Sequence, residues 1–255
     1  MKKVITILVD GMRPDAIDAC KSEEAEWILK NSSYTLNAKT VFPSVTLPCH
    51  MSLFHSVDPI RHGVTTNVFT PQVRPILGLC EQLNSNGKTV AFYYTWGELK
   101  DLYRPESVTY SDFAAGHTIG FKTATDRILP EAIKCLQNEQ PDFMFFYIGE
   151  TDDEGHRVGW MSDGYLENIS RAFKIIKQII DSLPPDYITI VLADHGGHDR
   201  NHGSAENEDM TIPLIIHGLD KNVNFDNATI LDVAPTVTKI LEVPANGDWE
   251  GTSLV

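Results

Sequence analysis

The sequence contains few cysteines, few basic residues and no long apolar run. Its four cysteines are scattered along 255 residues without a CxxC pair, which is typical of reduced, mostly buried thiols in an intracellular protein. No stretch approaches the roughly 20 apolar residues of a membrane span. The apolar run near the amino terminus stops at Asp10, and no small-residue cleavage site follows it. We therefore expect no signal peptide, no membrane association and a cytoplasmic location.

The shortage of basic residues limits the possible partners. The chain has 21 basic and 35 acidic residues, and its formal net charge is −14. Nucleic acid polymers and anionic membranes both require a basic face, so neither is an expected partner. A small anionic substrate is compatible with this charge if metal ions reverse its sign locally. Nothing in the sequence indicates an oligomeric state.

Short apolar segments rich in β-branched residues alternate with amphipathic segments. Strands are predicted at Val4–Val9, Thr89–Tyr94, Phe143–Ile148, Tyr187–Ala193 and Pro213–Ile216. Helices are predicted near 14–31, 48–57, 76–83, 124–137, 164–182 and 232–241. This alternation predicts an α/β three-layer sandwich with a mostly parallel central sheet and helices on both faces. We predict a single domain over 1–255, with an irregular lid or pocket segment near 96–123.

Acidic residues follow three of the predicted strands. These residues are Asp10, Asp152 and Asp194, and ligands of open α/β sheets gather at the carboxyl ends of strands. One helical turn would place Asp152 and His156 on the same face, and three histidines follow Asp194 within nine residues. Each pattern alone is also typical of a turn or a helix surface. Together they indicate a site with nitrogen and carboxylate ligands, which suits zinc better than manganese or iron.

A further polar residue, Thr46, precedes a predicted helix that starts near Pro48. Proline suits the first helical position, and the free N–H groups and positive dipole end of a helix suit an incoming phosphate. The alternative role for Thr46 is that of an N-capping residue.

Several motifs resemble the alkaline phosphatase superfamily, and they are most similar to its nucleotide pyrophosphatase/phosphodiesterase branch. They are Ile-Leu-Val-Asp10-Gly, Pro43-Ser-Val-Thr46-Leu-Pro, His62-Gly-Val-Thr-Thr-Asn67, Asp152-Asp-Glu-Gly-His156, Ala193-Asp194-His195-Gly and His202-Gly. They keep the order of the family and span nearly the whole chain. The resemblance implies an alkaline phosphatase-like fold.

The resemblance also implies a site with two zinc ions. Residue by residue, one zinc would be bound by Asp10, Asp194, His195 and the Thr46 oxygen, and the other by Asp152, His156 and His202. Asn67 matches the asparagine that holds the phosphoryl oxygens. His198 is the alternative to His202, and Asp153 is the alternative to Asp152.

The same resemblance implies a metal-dependent phosphodiesterase or nucleotide pyrophosphatase for small phosphate esters. Thr46 would attack phosphorus and form a phosphothreonine. Zinc would lower the pKa of bound oxygen, as it lowers that of water to about 7. Leu47 replaces a phenylalanine that can stack on a nucleobase, and Tyr147 keeps the aromatic position opposite it, so both are predicted to contact substrate. Cys49 is interpreted as a packing residue.

Two alternatives remain at this point. A phosphomonoesterase usually needs a guanidinium group on the terminal phosphate oxygens, and Arg13, Arg61 and Arg200 are the candidates. A catalytically silent relative that binds metal or ligand would retain the same fold.

Overall fold

A seven-stranded sheet forms the middle of the described part of the protein. The structure, a computed structural model, describes residues 2–219 and 223–255. The strands are β1 (Lys3–Val9), β2 (Ser32–Lys39), β3 (Val90–Tyr94), β4 (Tyr110–Phe113), β5 (Phe143–Ile148), β6 (Tyr187–Leu192) and β7 (Thr211–His217). Their order across the sheet is β2-β7-β6-β1-β5-β3-β4. Strand β7 is antiparallel to β2 and β6, and the other neighbouring pairs are parallel. The predicted mostly parallel α/β architecture is therefore confirmed.

Helices surround this sheet. Within the described ranges they are α1 (Pro14–Ala19), α2 (Glu23–Lys30), α3 (Thr46–His55), α4 (Pro59–His62), α5 (Leu79–Ser85), α6 (Gly116–Ile119), α7 (Phe121–Asn138), α8 (Glu150–Val158), α9 (Asp163–Ser182), α10 (Asn207–Met210) and α11 (Val233–Ile240). Short 3-10 helices cover Gly97–Leu102 and Ile230–Asp232. Among the described residues, no helix is long and apolar enough to cross a membrane.

The hydrophobic core lies around the three central strands. Every residue of β5 and β6 is buried, which explains why these strands are continuous apolar runs rather than alternating ones. Helix α3 packs onto them through Phe54, whose ring meets that of Phe145 edge-on at 5.0 Å between centroids. The longest helix, α9, buries the apolar stripe that includes Ile169, Phe173 and Ile176.

The sequence patterns missed two edge strands and misplaced some helix boundaries. Strand β2 has only one fully buried residue and strand β4 has none, so neither has the apolar signal of the central strands. The predicted helix over 14–31 is divided into α1 and α2, because Ser22 caps α2 by accepting a hydrogen bond from the N–H of Ala25.

The segment near 96–123 is not irregular throughout, so that part of the prediction is wrong. It contains the 3-10 helix Gly97–Leu102, strand β4 and helix α6. These elements are short and half-exposed, and periodicity in sequence does not reveal elements of that length.

We expect Ile5→Ala to lower the free energy of unfolding by about 2–5 kcal/mol, because it leaves a cavity in the centre of the sheet. Ile5 lies in β1 and is fully buried, whereas Ile60 is 92% exposed in α4. The matched control Ile60→Ala should therefore change stability by no more than about 0.5 kcal/mol. Urea denaturation of both variants measures the difference. Equal effects would contradict the assignment of β1 to the core.

Candidate active site

The sheet brings the three predicted aspartates together. Strands β6, β1 and β5 are neighbours and run parallel, so their carboxyl ends meet at one edge. Asp10 directly follows β1, Asp194 lies just beyond β6, and Asp152 lies in the first turn of α8, which follows β5. The 141 residues between Asp10 and Asp152 therefore do not separate them in space.

Gly11 links these three chain segments. Its N–H donates to Asp194 Oδ1 at 3.1 Å, and its carbonyl accepts hydrogen bonds from Trp160 Nε1 at 2.9 Å and the Tyr165 hydroxyl at 2.8 Å. Its φ is +65°, and a Cβ at this position would lie 3.3 Å from the Asp152 Cα. Both the backbone conformation and the close approach therefore require glycine after Asp10.

The first group of ligand-type side chains, here the Asp10 cluster, consists of Asp10, Asp194 and His195. His195 Nε2 lies 3.4 Å from Asp10 Oδ1 and 3.3 Å from Asp194 Oδ2. Thr46 Oγ1 lies 3.2 Å from the same nitrogen. All four side chains are at least 96% buried. The structure thus brings together the four residues that the sequence assigned to one metal.

The second group, the Asp152 cluster, consists of Asp152, His156 and His202. Asp152 and His156 lie one helical turn apart in α8, with Asp152 Oδ2 3.5 Å from His156 Nε2. His202 Nε2 lies 3.7 Å from Asp152 Oδ1. The rings of His202 and His195 stack with 3.8 Å between their centroids, so the two clusters are adjacent.

Backbone carbonyls orient the three histidines. The Nδ1 atoms of His156, His195 and His202 donate to the carbonyls of Arg200, Gly196 and Ser44 at 2.8–2.9 Å. A carbonyl can only accept, so each neutral ring carries its proton on Nδ1 and turns the Nε2 lone pair toward the aspartates. Burial lowers the pKa of His195 to about 3 and that of His202 to about 4, which keeps both rings neutral. This is the form of histidine that binds metal.

The buried aspartates are not stable as free anions in this environment. Burial, and then the charge of Asp152, raises the pKa of Asp194 to about 8. Burial, and then the charges of Asp194 and Asp152, raises the pKa of Asp10 well above its ordinary value. Burial also raises the pKa of Asp152. A cation placed between these carboxylates would favour the charged form of each and so offset all three pKa shifts.

Unpaired atoms mark the position for such a cation. Asp10 Oδ1, Asp152 Oδ1 and Asp194 Oδ2 are buried without a hydrogen-bond partner among the described residues. Buried polar atoms normally have partners, so unpaired carboxylate oxygens beside imidazole lone pairs fit a metal ion. The set contains oxygen and nitrogen donors and no thiolate, which suits zinc.

Thr46 and Asn67 lie beside the clusters, and both belong to one cavity. Thr46 is the first residue of α3, with Val45 at the N-cap position, so the alternative role of capping residue does not apply. Asn67 Oδ1 accepts a hydrogen bond from the N–H of Leu47 at 2.9 Å. That bond fixes the amide orientation and leaves the two N–H donors of Asn67 for a ligand.

The cavity, here the Thr46 cavity, has a volume of about 330 Å³. This volume is at the small end of the range for ligand pockets. Its lining residues are Asp10, Thr46, Asn67, Trp96, Glu98, His117, Phe121, Tyr147, Gly149, Asp152, Asp153, His156 and His202.

The two predicted substrate-contacting side chains have different positions. Tyr147 lines the Thr46 cavity, and its hydroxyl donates to Asp10 Oδ2. Leu47 does not line it. Its side chain is fully buried in the hydrophobic core, and the prediction that it contacts substrate is therefore wrong.

Other candidates from the sequence lie outside the clusters. His198 pairs with Asp209 Oδ1 at 2.8 Å and belongs to neither cluster. Cys49 is fully buried, and burial raises the pKa of its thiol well above the ordinary value, in agreement with a packing residue. Among the described residues, no arginine or lysine lines the Thr46 cavity. The Arg13 guanidinium, for example, is bound to Asp15 and to the carbonyl of Gly197.

Sequence reasoning missed His50. This residue is fully buried, donates from Nδ1 to the Thr46 carbonyl at 2.8 Å, and lies 3.5 Å from Asp194 Oδ2. Burial lowers its pKa to about 4. His50 thus contacts both Thr46 and Asp194 from the buried side of the site. Its four-residue spacing from Thr46 in a helix was the available signal, and helical spacing alone is too common to identify such a contact.

Comparison with known proteins supports the motif reading. The model of the type I phosphodiesterase/nucleotide pyrophosphatase family matches residues 4–209. The chain belongs to this family. The resemblance to the corresponding branch of the alkaline phosphatase superfamily is therefore confirmed.

The sequence identity between this chain and individual relatives is low. The chain is 24% identical over 221 residues to rat (Rattus norvegicus) ectonucleotide pyrophosphatase/phosphodiesterase family member 7, covering 76% of this chain and 49% of that protein. It is 26% identical over 158 residues to a phosphopentomutase from Alkaliphilus oremlandii, covering 60% and 38%. The chain thus spans less than half the length of these curated relatives. Murine ectonucleotide pyrophosphatase/phosphodiesterase 5 has the same fold, with a TM-score of 0.74, 16% identity and 96% of each chain covered.

We expect His202→Ala to lose about half of the bound metal, because it removes one of three ligands from the Asp152 cluster alone. His198→Ala is the matched control and should retain the full metal content, since His198 pairs with Asp209. Elemental analysis of both purified variants after zinc loading measures this. The reverse result would exchange the roles of the two histidines.

We expect the pair His198–Asp209 to stabilise the protein most at mildly acidic pH. The hydrogen bond to Asp209 raises the pKa of His198 above its ordinary value of 6.5. Burial alone would raise the pKa of Asp209, but the bonds from His198 and Ser204 hold it below 3.8. The stabilisation is therefore present between these values, and it is lost as pH rises through the raised pKa of His198.

His198→Ala should accordingly destabilise the protein more at pH 6 than at pH 9, by about 1 kcal/mol or less, because His198 is about one-third exposed. Thermal unfolding of wild type and variant at the two pH values measures the difference. A loss of stability that is the same at both pH values would show that the charge of His198 has no role.

Proposed function

We propose that this protein is a two-zinc phosphodiesterase of the nucleotide pyrophosphatase type, with Thr46 as nucleophile. The observation that carries the proposal is the position of Thr46 Oγ1, 3.2 Å from His195 Nε2, beside three unpaired buried carboxylate oxygens. The Asp10 cluster and the Asp152 cluster would each hold one zinc, with manganese or iron as alternatives. Zinc bound there would lower the pKa of a neighbouring hydroxyl and offset the negative charge of a phosphoryl group.

Thr46, Asn67 and helix α3 each have a separate role in the proposed reaction. Thr46 attacks phosphorus in line, a bond from Oγ1 to phosphorus forms, and the bond to the leaving alcohol oxygen breaks. The free N–H donors of Asn67 bind the non-bridging oxygens, and the positive end of the α3 dipole favours the same charge. Water then attacks the phosphothreonine from the opposite side and restores the Thr46 hydroxyl.

A diester is the preferred substrate class because of the charge around the Thr46 cavity. A monoester carries a second negative charge, which usually requires a guanidinium group. No described arginine or lysine lines this cavity, and Asn67 supplies neutral N–H donors there instead. This observation argues against the phosphomonoesterase alternative.

Three further points support an active intracellular enzyme. The full set of ligand-type residues is present together with Thr46, and a silent relative would have no need to keep all of them. The murine neighbour described above is inactive, in complex with AMP, as a threonine-to-alanine variant. The four cysteines are free thiols, which favours a cytoplasmic location.

We expect the zinc-loaded protein to hydrolyse bis-p-nitrophenyl phosphate faster than p-nitrophenyl phosphate, and chelator to abolish both rates. Thr46→Ala should lower kcat by at least about a thousandfold, because the attacking oxygen is lost. It should keep most of its zinc, since the aspartates and histidines remain. Steady-state kinetics and elemental analysis of the same samples measure these quantities.

Two variants serve as controls for this experiment. Thr65→Ala removes an exposed threonine from the loop before Asn67 and should leave the rate unchanged. Thr46→Ser keeps a hydroxyl and should retain measurable turnover. A wild-type rate in Thr46→Ala would refute the nucleophile assignment, and a monoester preference would refute the diester proposal.

A further inference from the structure

A second cavity, here the His55 cavity, shares no lining residue with the Thr46 cavity. Its volume is about 430 Å³, compared with about 330 Å³ for the Thr46 cavity. A volume of this size is sufficient for a small organic ligand. The lining residues come from the end of α3, from α5, from the 3-10 helix Gly97–Leu102 and from the segments 69–77 and 103–105. The proposed reaction does not use this cavity.

The wall of the His55 cavity is mainly apolar. Met51, Phe69, Ile76, Leu102 and Tyr103 all contribute to it. Met51, Ile76 and Leu102 are themselves buried, so part of the wall belongs to the packed interior of the protein. Such a wall favours a ligand with an apolar body, because binding removes the apolar surface of both partners from water.

Two acceptor atoms without a donor interrupt this apolar wall. His55 is 7% exposed, and its Nδ1 donates to the Met51 carbonyl at 3.1 Å. Burial lowers the pKa of His55, so the ring is neutral and its Nε2 can only accept. No group in the described part of the chain donates to that nitrogen, and Glu81 Oε2 is likewise buried without a partner there. Buried polar atoms normally have partners, so these two atoms indicate a ligand with N–H donors.

The two acceptors lie on the same side of Gly78, the N-cap residue of α5. A Cβ at Gly78 would lie 2.8 Å from Glu81 Oε2 and 3.2 Å from His55 Nε2. The other oxygen of Glu81 is already bonded, since Oε1 accepts from the Arg104 N–H at 2.5 Å and from the Ser107 hydroxyl at 3.3 Å. These bonds fix the carboxylate and leave Oε2 beside the imidazole nitrogen.

A carboxylate oxygen beside a neutral imidazole nitrogen selects a cationic group with several N–H donors. Amidinium and guanidinium groups carry adjacent donors in one plane, and the guanidinium group is more weakly hydrated than an ammonium group, which favours its burial. The charge of Lys100 is paired with Asp101 at 3.2 Å, and Arg104 is exposed to water, so neither neutralises Glu81 Oε2. Within the described ranges, His55 and Glu81 belong to no group of three ligand-type residues, so the chain offers too few ligands there for a metal ion.

We propose that the His55 cavity binds an organic molecule that has an apolar body and a terminal amidinium or guanidinium group. The charged group donates to Glu81 Oε2 and His55 Nε2. The apolar body lies along Met51, Phe69 and Leu102. This binding site is separate from the two clusters, so it does not depend on the proposed phosphodiesterase activity.

The test measures calorimetric binding of benzamidine and of its neutral isostere benzamide to the zinc-loaded protein. We expect benzamidine to bind at least about 10-fold more tightly, because its hydrogen bonds to the carboxylate are charge-assisted. Equal affinities for the two compounds, or no detectable binding of benzamidine, would overturn the proposal.

Glu81→Gln should weaken benzamidine binding by at least about 10-fold. The glutamine carbonyl can keep the bonds from Arg104 and Ser107, whereas its amide group presents N–H donors where the ligand needs an acceptor. The matched control Glu26→Gln, at an exposed position of α2, changes the net charge by the same amount and should bind benzamidine as the wild type does. Equal weakening in both variants would assign the effect to net charge and refute the site.

Two further variants locate the bound benzamidine. Gly78→Ala should abolish binding without a change in charge, because the added methyl group would crowd both acceptor atoms, and the φ of −78° at this position accepts alanine. Glu98→Gln removes a carboxylate from the Thr46 cavity and should leave the affinity unchanged. If Glu98→Gln weakens binding while Glu81→Gln and Gly78→Ala do not, benzamidine binds in the Thr46 cavity and the proposal is wrong.

Discussion

The mutual repulsion of Asp10, Asp152 and Asp194 is the constraint on which the rest of the structure depends. Burial and neighbouring negative charge raise the pKa of each carboxyl. Such an arrangement is stable only with a cation or with bound protons, because desolvated like charges are costly. The parallel strands β6, β1 and β5 bring the three groups together at one edge, and the Gly11 backbone closes the remaining distance. The fold therefore contains a destabilising repulsion between buried carboxylates, which forms a binding site for positive charge.

Beside these aspartates, backbone carbonyls determine which nitrogen of each histidine is available to a metal. Carbonyls of Ser44, Gly196 and Arg200 each take an Nδ1 proton, and so the Nε2 lone pairs face the carboxylates. A ring that turned its N–H toward the aspartates would donate a hydrogen bond to them and have no lone pair there for a metal. The orientation of the rings thus favours metal binding over hydrogen bonds within the site, and main-chain atoms set this orientation.

The central strands and the ligand-type residues could be predicted from the sequence, but the edge strands of the sheet and the residues of the cavity wall could not. The apolar runs of β1, β5 and β6 are buried on both faces, and the residues after them lie where parallel strands end. Strand β4 lacks such a run. The roles of His50 and Leu47 could not be predicted either, because all residues of α3 are buried and its sequence does not indicate which side chains reach the site. Glu98, which lines the Thr46 cavity, lies in the 3-10 helix Gly97–Leu102, and this helix is too short to have a recognisable periodicity in the sequence.

The distribution of charge in the Thr46 cavity connects the acidic composition of the chain to its chemistry. Two divalent ions with the three aspartates of the clusters would leave a net positive charge at one end of the cavity, whereas Glu98 and Asp153 place negative charge at its wall. A diester carries one negative charge fewer than a monoester and would therefore meet less repulsion from that wall. In a chain with a net charge of −14, a small anion would bind only where metal ions reverse the sign of the charge locally.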